Sequence, residues 1–205
     1  MPYITKIFLL FSHQEILIPL IVLGLIFYRN YFLDPAILLL FTMVFSVLLK
    51  FIFAIPYPAE LVQKLGKNGF SFPSGHMQAA AVFYGWFLLN NKKKLIRFSS
   101  LSIILGIGFS LIYEGYHNIY DVLGAIFFAT LTIIFYKITV TFLEKKFSNF
   151  PKELVRSLLI FFLIIFLTII LIVFYQLPPH LYIAIYSIFG VNLVLLFLKN
   201  DWRLK

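Results

Sequence analysis

Apolar runs of helix length recur along this 205-residue chain and are separated by short polar connections. Hydrophobic residues make up 62% of the sequence and aromatic residues 20%, far above the averages for soluble domains. A run of about 20 apolar residues crosses a bilayer as a helix, which satisfies its own backbone hydrogen bonds there. The sequence therefore predicts a single integral membrane domain over residues 1–205, all-α, built as a polytopic transmembrane helix bundle of about seven spans.

The polar connections place the predicted spans. They cover residues 16–28, 35–54, 73–90, 98–113, 118–142, 157–175 and 181–198, and Arg29, Asn30 and Asp34 form the first turn. Residues 1–15 are too short and too polar at their end to span, which predicts an interfacial segment. Residues 55–72 form the longest polar connection, with several Pro and Gly breakers and a short helix at 59–65. This outer loop would act as a lid or a substrate-access loop.

The basic residues are unevenly distributed between the two predicted membrane faces. Counting the spans puts thirteen Lys and Arg on one face and four on the other, within a net charge of +9. Because basic residues concentrate in cytoplasmic loops, the poorer face is predicted to lie outside and the C-terminus inside, in a bacterial inner (plasma) membrane. The charge is scattered between spans, which argues against nucleic acid and leaves the lipid bilayer and a membrane lipid as partners. The oligomeric state is not determined by the sequence, which contains no cysteine.

A helix start suited to anions follows the outer loop at Pro73-Ser74-Gly75-His76. Proline is favoured in the first turn of a helix, and serine caps an orphan amide. Gly75 has no Cβ, so a ligand can approach the Gly75 and His76 amides at the positive end of the helix dipole. This motif predicts a phosphate cradle.

A histidine and a carboxylate begin a later span with a spacing of four residues, at His117 and Asp121. On a helix this spacing puts both side chains on one face. Asp121 would accept the Nδ1 proton of His117 and leave Nε2 as a nucleophile, while His76 would protonate the leaving oxygen. Both motifs fall on the predicted outer face, so together they predict a phosphate-handling site.

These motifs resemble those of the type 2 phosphatidic acid phosphatase (PAP2) superfamily, which are Lys-x6-Arg-Pro, Pro-Ser-Gly-His and Ser-Arg-x5-His-x3-Asp. The second motif is complete. The matching positions of the first and third are Lys50, Tyr57, Pro58, Ser110, Leu111, His117 and Asp121. The resemblance implies a PAP2-like fold and a membrane lipid phosphatase or phosphotransferase. It would work through a phosphohistidine on a lipid phosphate at the outer face.

Tyr57 and Leu111 replace the two arginines that bind phosphate oxygens in that family. In this chain Lys50 and the amides of Ser74, Gly75 and His76 would bind the phosphate, and Lys64 or Lys67 could replace the arginines. A phosphodiester carries one negative charge, so a headgroup transferase or hydrolase similar to sphingomyelin synthase is an alternative. Glu114 and the ring of Tyr57 or Tyr116 would then face a cationic headgroup.

A second alternative is a non-catalytic lipid-binding or transport protein. Transport favours charged residues at mid-span, whereas here they collect at one membrane edge, which counts against it. No metal or other cofactor is expected, because helix amides and lysine can stabilise the charge that metals stabilise in other phosphatases.

Overall fold

The computed structural model describes residues 2–65, 69–174, 186, 187, 189 and 190. Outside its helices, the described chain contains an antiparallel bridge between Pro56 and Phe70. The helices are α1 Pro2–Leu10, α2 Gln14–Phe27, α3 Arg29–Phe53, α4 Ala59–Leu65, α5 Gly75–Asn90, α6 Lys94–Tyr113, α7 Ile119–Lys146 and α8 Lys152–Phe174. The predicted all-α class is confirmed.

Four described helices are long and apolar enough to cross a membrane, namely α3, α6, α7 and most of α8. A fifth candidate is the pair formed by α1 and α2, which are bent by 45° at the break between them. The expected count of about seven spans is therefore not confirmed, and the predicted span 181–198 lies largely outside the described residues. The placement of residues 1–15 at the interface stays a prediction.

The helix that carries the Pro-Ser-Gly-His motif is shorter than α3, α6, α7 and α8. α5 has 16 residues, which at 1.5 Å per residue span about 24 Å. A hydrocarbon core is about 30 Å thick, so the span predicted at 73–90 does not qualify by length alone. α5 nevertheless packs against α3, α6 and α7 at the centre of the bundle.

α5 itself carries small side chains and an aromatic ring that are enclosed by the neighbouring helices. Ala80, Ala81 and Phe83 are buried, and small residues allow helices to approach closely within a membrane. By contrast, α6, α7 and α8 expose large aromatic side chains such as Phe109, Phe135 and Phe166. These exposed faces would contact lipid in a membrane. The helix that begins at the motif, α5, therefore lies inside the bundle and is enclosed by its neighbours.

The first predicted turn was wrong in detail. Tyr28 alone separates α2 from α3, and Arg29, Asn30 and Asp34 lie inside α3. The chain reverses in this short distance because Gly24 has no side chain and the ring of Phe32 packs against its Cα.

Asp34 belongs to a buried polar network that joins α3, α7 and α8 at the end opposite the motifs. The Tyr136 hydroxyl donates to Asp34 Oδ1 at 2.7 Å. Arg156 donates from Nη1 to both oxygens of Asp34, at 3.2 and 3.1 Å, and from Nε to Glu144 Oε1 at 2.6 Å. One arginine thus fastens the starts of α3 and α8 to the end of α7.

Candidate active site

Ser74 caps α5, as the sequence predicted for a helix start. Its hydroxyl oxygen accepts from the Met77 amide at 3.4 Å, and its side chain is fully buried. The Ser74 amide donates to the Asp121 carbonyl at 3.1 Å. Both polar groups of Ser74 therefore have protein partners, and the anion cradle is reduced to the amides that follow it. A Cβ built at Gly75 would meet no atom within 4 Å, so the motif opens onto free space there.

His117 and Asp121 form the expected pair at the start of α7. Nδ1 of His117 lies 3.2 Å from Oδ2 of Asp121, and the two side chains are only 6% and 3% exposed. A carboxylate partner favours the tautomer with the proton on Nδ1, which leaves the Nε2 lone pair for a substrate. Such a buried, oriented imidazole is suited to nucleophilic attack.

Two further side chains hold Asp121. Asn118 caps α7. Its side-chain oxygen accepts from the backbone amide of Asp121 at 2.9 Å, and its backbone amide donates to Asp121 Oδ2 at 3.2 Å. The Ser71 hydroxyl donates to Asp121 Oδ1 at 3.4 Å. Sequence reasoning assigned neither residue a role, although Asn118 and Asp121 have the spacing of a capping box. Ser71 had no signal beyond its place before the motif.

The turn between α6 and α7 positions His117. Gly115 has a φ of +74°, a left-handed conformation that glycine adopts without strain. The amides of Tyr116 and His117 then fold back onto the Leu111 carbonyl, at 3.0 and 3.2 Å. The Leu111 side chain is buried in the hydrophobic core. Leu111, which stands where the family motif has an arginine, therefore supports the turn before His117 through its backbone carbonyl. Its side chain packs among apolar residues.

The two motifs are joined directly. Besides the bond from the Ser74 amide to the Asp121 carbonyl, the ring of Phe72 packs against the Cα of Gly124, where a side chain would collide with it. The start of α5 and the start of α7 thus form one unit, and the predicted assembly of these residues at one end of the bundle is what the structure contains.

Lys50 and Tyr57 lie beside this unit. Lys50 Nζ donates to the Phe70 carbonyl at 2.6 Å, and lies 3.5 Å from the Tyr57 hydroxyl. The Tyr57 and His117 ring centroids are 5.8 Å apart. Burial, and secondly the charge of Asp121, raise the pKa of the Tyr57 phenol. The phenol therefore stays neutral at physiological pH and keeps a proton to donate.

Among the residues it describes, the structure shows no hydrogen bond or ion pair between the remaining predicted residues and the His117–Asp121 pair. Glu114 Oε1 accepts from the Thr5 hydroxyl at 2.5 Å, which ties the end of α6 to α1. Its proposed contact with a cationic headgroup stays a prediction. Lys67 lies outside the described residues, as does the side chain of Lys64.

A third histidine lies at the site, and sequence reasoning missed it. The rings of His13 and His76 have centroids 5.3 Å apart. His13 was visible only as one of several polar residues interrupting an apolar run, and its contact with His76 depends on how α1 and α2 bend.

A histidine–carboxylate pair at the start of α7 and a second histidine at the start of α5 are groups suited to phosphate chemistry at a membrane. The PAP2 superfamily model matches residues 31–146 of the chain. Phosphatidylglycerophosphatase B of Bacillus subtilis (strain 168) is 32% identical over 142 residues, covering 60% of this chain and 68% of that protein. No solved structure matches the chain. The chain belongs to the PAP2 superfamily, and it is an integral membrane lipid phosphatase that acts on phosphoester bonds.

Proposed function

We propose that this protein removes the phosphate group from a lipid phosphomonoester through a phosphohistidine at His117. The observation that carries the proposal is the 3.2 Å contact between His117 Nδ1 and Asp121 Oδ2, in a pair almost fully shielded from solvent. The similarity to phosphatidylglycerophosphatase B makes phosphatidylglycerophosphate the first substrate to test.

The proposed reaction has two steps. Nε2 of His117 attacks phosphorus, the bond from phosphorus to the lipid oxygen breaks, and His76 gives its proton to that oxygen. Water then attacks the phosphohistidine, His76 takes a proton from it, and inorganic phosphate leaves as the bond to His117 breaks. An alcohol could replace water in the second step, which would make the reaction a phosphotransfer.

Several groups are suited to bind the phosphate during these steps. The first turn of α5 presents backbone amides at the positive end of its dipole, next to the open space at Gly75. Lys50 supplies a positive charge, and the neutral Tyr57 hydroxyl lies between Lys50 and His117. A tyrosine at this position can donate one hydrogen bond, whereas arginine would donate two and carry a charge.

This difference keeps the phosphodiester alternative open as a second candidate. With Leu111 buried and Tyr57 neutral, the described site has fewer cations than a doubly charged phosphomonoester would favour. A phosphodiester needs less charge compensation. This candidate rests on the two arginine positions alone.

A substrate comparison separates the two candidates. We expect kcat/KM to be higher for phosphatidylglycerophosphate and phosphatidic acid than for choline or ethanolamine phospholipids, measured with purified protein in mixed micelles. Release of inorganic phosphate from the first pair and of phosphorylated headgroup from the second pair would be quantified. A preference for the phosphodiesters would overturn the monoester proposal.

We also propose that the protein lies in the inner membrane with its site on the outer, non-cytoplasmic face. The supporting observation is that the helix ends opposite the motifs carry most of the basic residues in the described chain. These are Arg29, Lys92, Lys93, Lys94, Arg97, Lys145, Lys146, Lys152 and Arg156. Basic residues concentrate on the cytoplasmic side. This orientation puts the start of α8 inside, and the predicted inside C-terminus depends in addition on the predicted span 181–198, which lies largely outside the described residues.

Cysteine labelling tests this orientation, because the chain has no native cysteine. Single cysteines would replace the exposed residues Ala59, on the site side, and Lys93, on the opposite side. In intact cells an impermeant maleimide should label Ala59→Cys, and should label Lys93→Cys only after the cells are broken. Labelling of the second variant alone in intact cells would reverse the orientation.

A further inference from the structure

The break between α1 and α2 places an ionisable pair between two stretches that expose large apolar side chains. Ile4, Ile7 and Leu10 on α1, and Val22 and Leu23 on α2, are exposed and would contact lipid if the bent pair crosses the membrane. Between these stretches, His13 and Glu15 have side chains that are 43% and 68% exposed. Ionisable side chains in such surroundings are costly and usually serve a function.

The histidine of this pair also contacts the active site. Nδ1 of His13 lies 3.7 Å from Oε2 of Glu15, an arrangement that leaves Nε2 as the second polar atom of the ring. The ring itself contacts that of His76, with a centroid distance of 5.3 Å and an angle of 44° between the planes. Tyr84 of α5 holds the break in place by donating to the Phe11 carbonyl at 2.9 Å.

We propose that His13 and Glu15 form a further substrate-binding pair, which contacts the oxygen-rich glycerol ester region of the lipid. This inference rests on the proposed function, in which His76 protonates the oxygen that joins phosphate to the lipid alcohol. A ring in contact with His76 then lies beside the alcohol part of the substrate. Because it also borders the lipid-facing surface, His13 meets the substrate between its phosphate and its acyl chains.

The competing explanation is that His13 only positions His76. The two differ in what they predict for ligand binding. A substrate contact affects ligands that contain the glycerol ester region, and leaves inorganic phosphate unaffected. An action through His76 alters turnover, and treats both ligands alike.

Direct binding distinguishes these explanations without depending on catalysis. The Kd values of a non-hydrolysable diacylglycerol-type phosphonate and of inorganic phosphate would be measured by calorimetry in detergent. For His13→Ala we expect about a tenfold weaker Kd for the phosphonate, the size of one lost hydrogen bond, and an unchanged Kd for phosphate. His13→Asn keeps a donor and should recover part of the affinity. Glu15→Gln should weaken phosphonate binding less than His13→Ala.

Gln14→Ala is the matched control, because Gln14 is exposed on the same turn and should leave both Kd values unchanged. Equal weakening of phosphonate and phosphate by His13→Ala, or no weakening of either, would overturn the inference. The proposed function fails separately, if the wild-type protein binds the phosphonate but hydrolyses no lipid phosphomonoester.

Discussion

Replacing His117 by alanine is expected to abolish phosphate release and to remove the covalent intermediate. Nε2 of His117 would form the bond to phosphorus and His76 would serve as the acid, so the variant loses the proposed nucleophile. His76→Ala should behave differently: loss of a general acid costs about 10²- to 10⁴-fold and matters most for poor leaving groups. Rapid quenching in base with substrate radiolabelled in its phosphate, followed by detection of labelled protein, measures the intermediate directly, because a phosphohistidine survives base but not acid.

Tyr120→Ala offers a control on the same first turn of α7, since this side chain is 75% exposed. It should retain turnover and the labelled intermediate. If His117→Ala keeps turnover near that of wild type, or if the label persists in that variant, the assignment of the nucleophile is wrong.

The second large effect concerns stability and lies at the opposite end of the bundle. Arg156→Ala is expected to lower the free energy of unfolding by about 3–5 kcal/mol, the usual result of removing one partner from a buried ion pair. Asp34 and Glu144 have side chains that are only 12% and 14% exposed, and both would lose their guanidinium partner. Reversible denaturation in mixed micelles, or a shift in thermal unfolding temperature, would report the change.

Lys152→Ala is the matched control for this network. Lys152 also approaches Glu144, at 3.9 Å, but it is 69% exposed, and exposed pairs contribute at most about 1 kcal/mol. Its loss should therefore change stability little. Equal destabilisation by the two variants would show that Arg156 does not hold the helix ends together in the way its contacts indicate.

The His117–Asp121 pair and the start of α5 were predictable because their geometry is local. A spacing of four residues on a helix brings His117 and Asp121 together, and Ser74 is a residue type that commonly caps the start of a helix. Their meeting at one end of the bundle followed from counting spans. The sequence did not reveal that the Ser74 amide would bond to Asp121, since that contact depends on how α5 and α7 pack.

Contacts between distant elements explain what was missed. Asp34 was interpreted as a turn residue because a carboxylate near the start of a span usually marks a boundary, but its partner Arg156 is 122 positions away. His13 reaches His76 only because α1 and α2 meet at 45°. Neither the contact between Asp34 and Arg156 nor the angle between α1 and α2 produces a periodic pattern in the sequence.

The short length of α5 has a consequence for how the two products separate. If its C-terminal end lies at one membrane boundary, its first turn is recessed beneath the other, so the reaction would take place below the level of the surrounding headgroups. The dephosphorylated lipid could then diffuse sideways without its acyl chains meeting water. Inorganic phosphate is charged and would leave to the aqueous phase by a separate route. The water that hydrolyses the intermediate would enter by the same aqueous route.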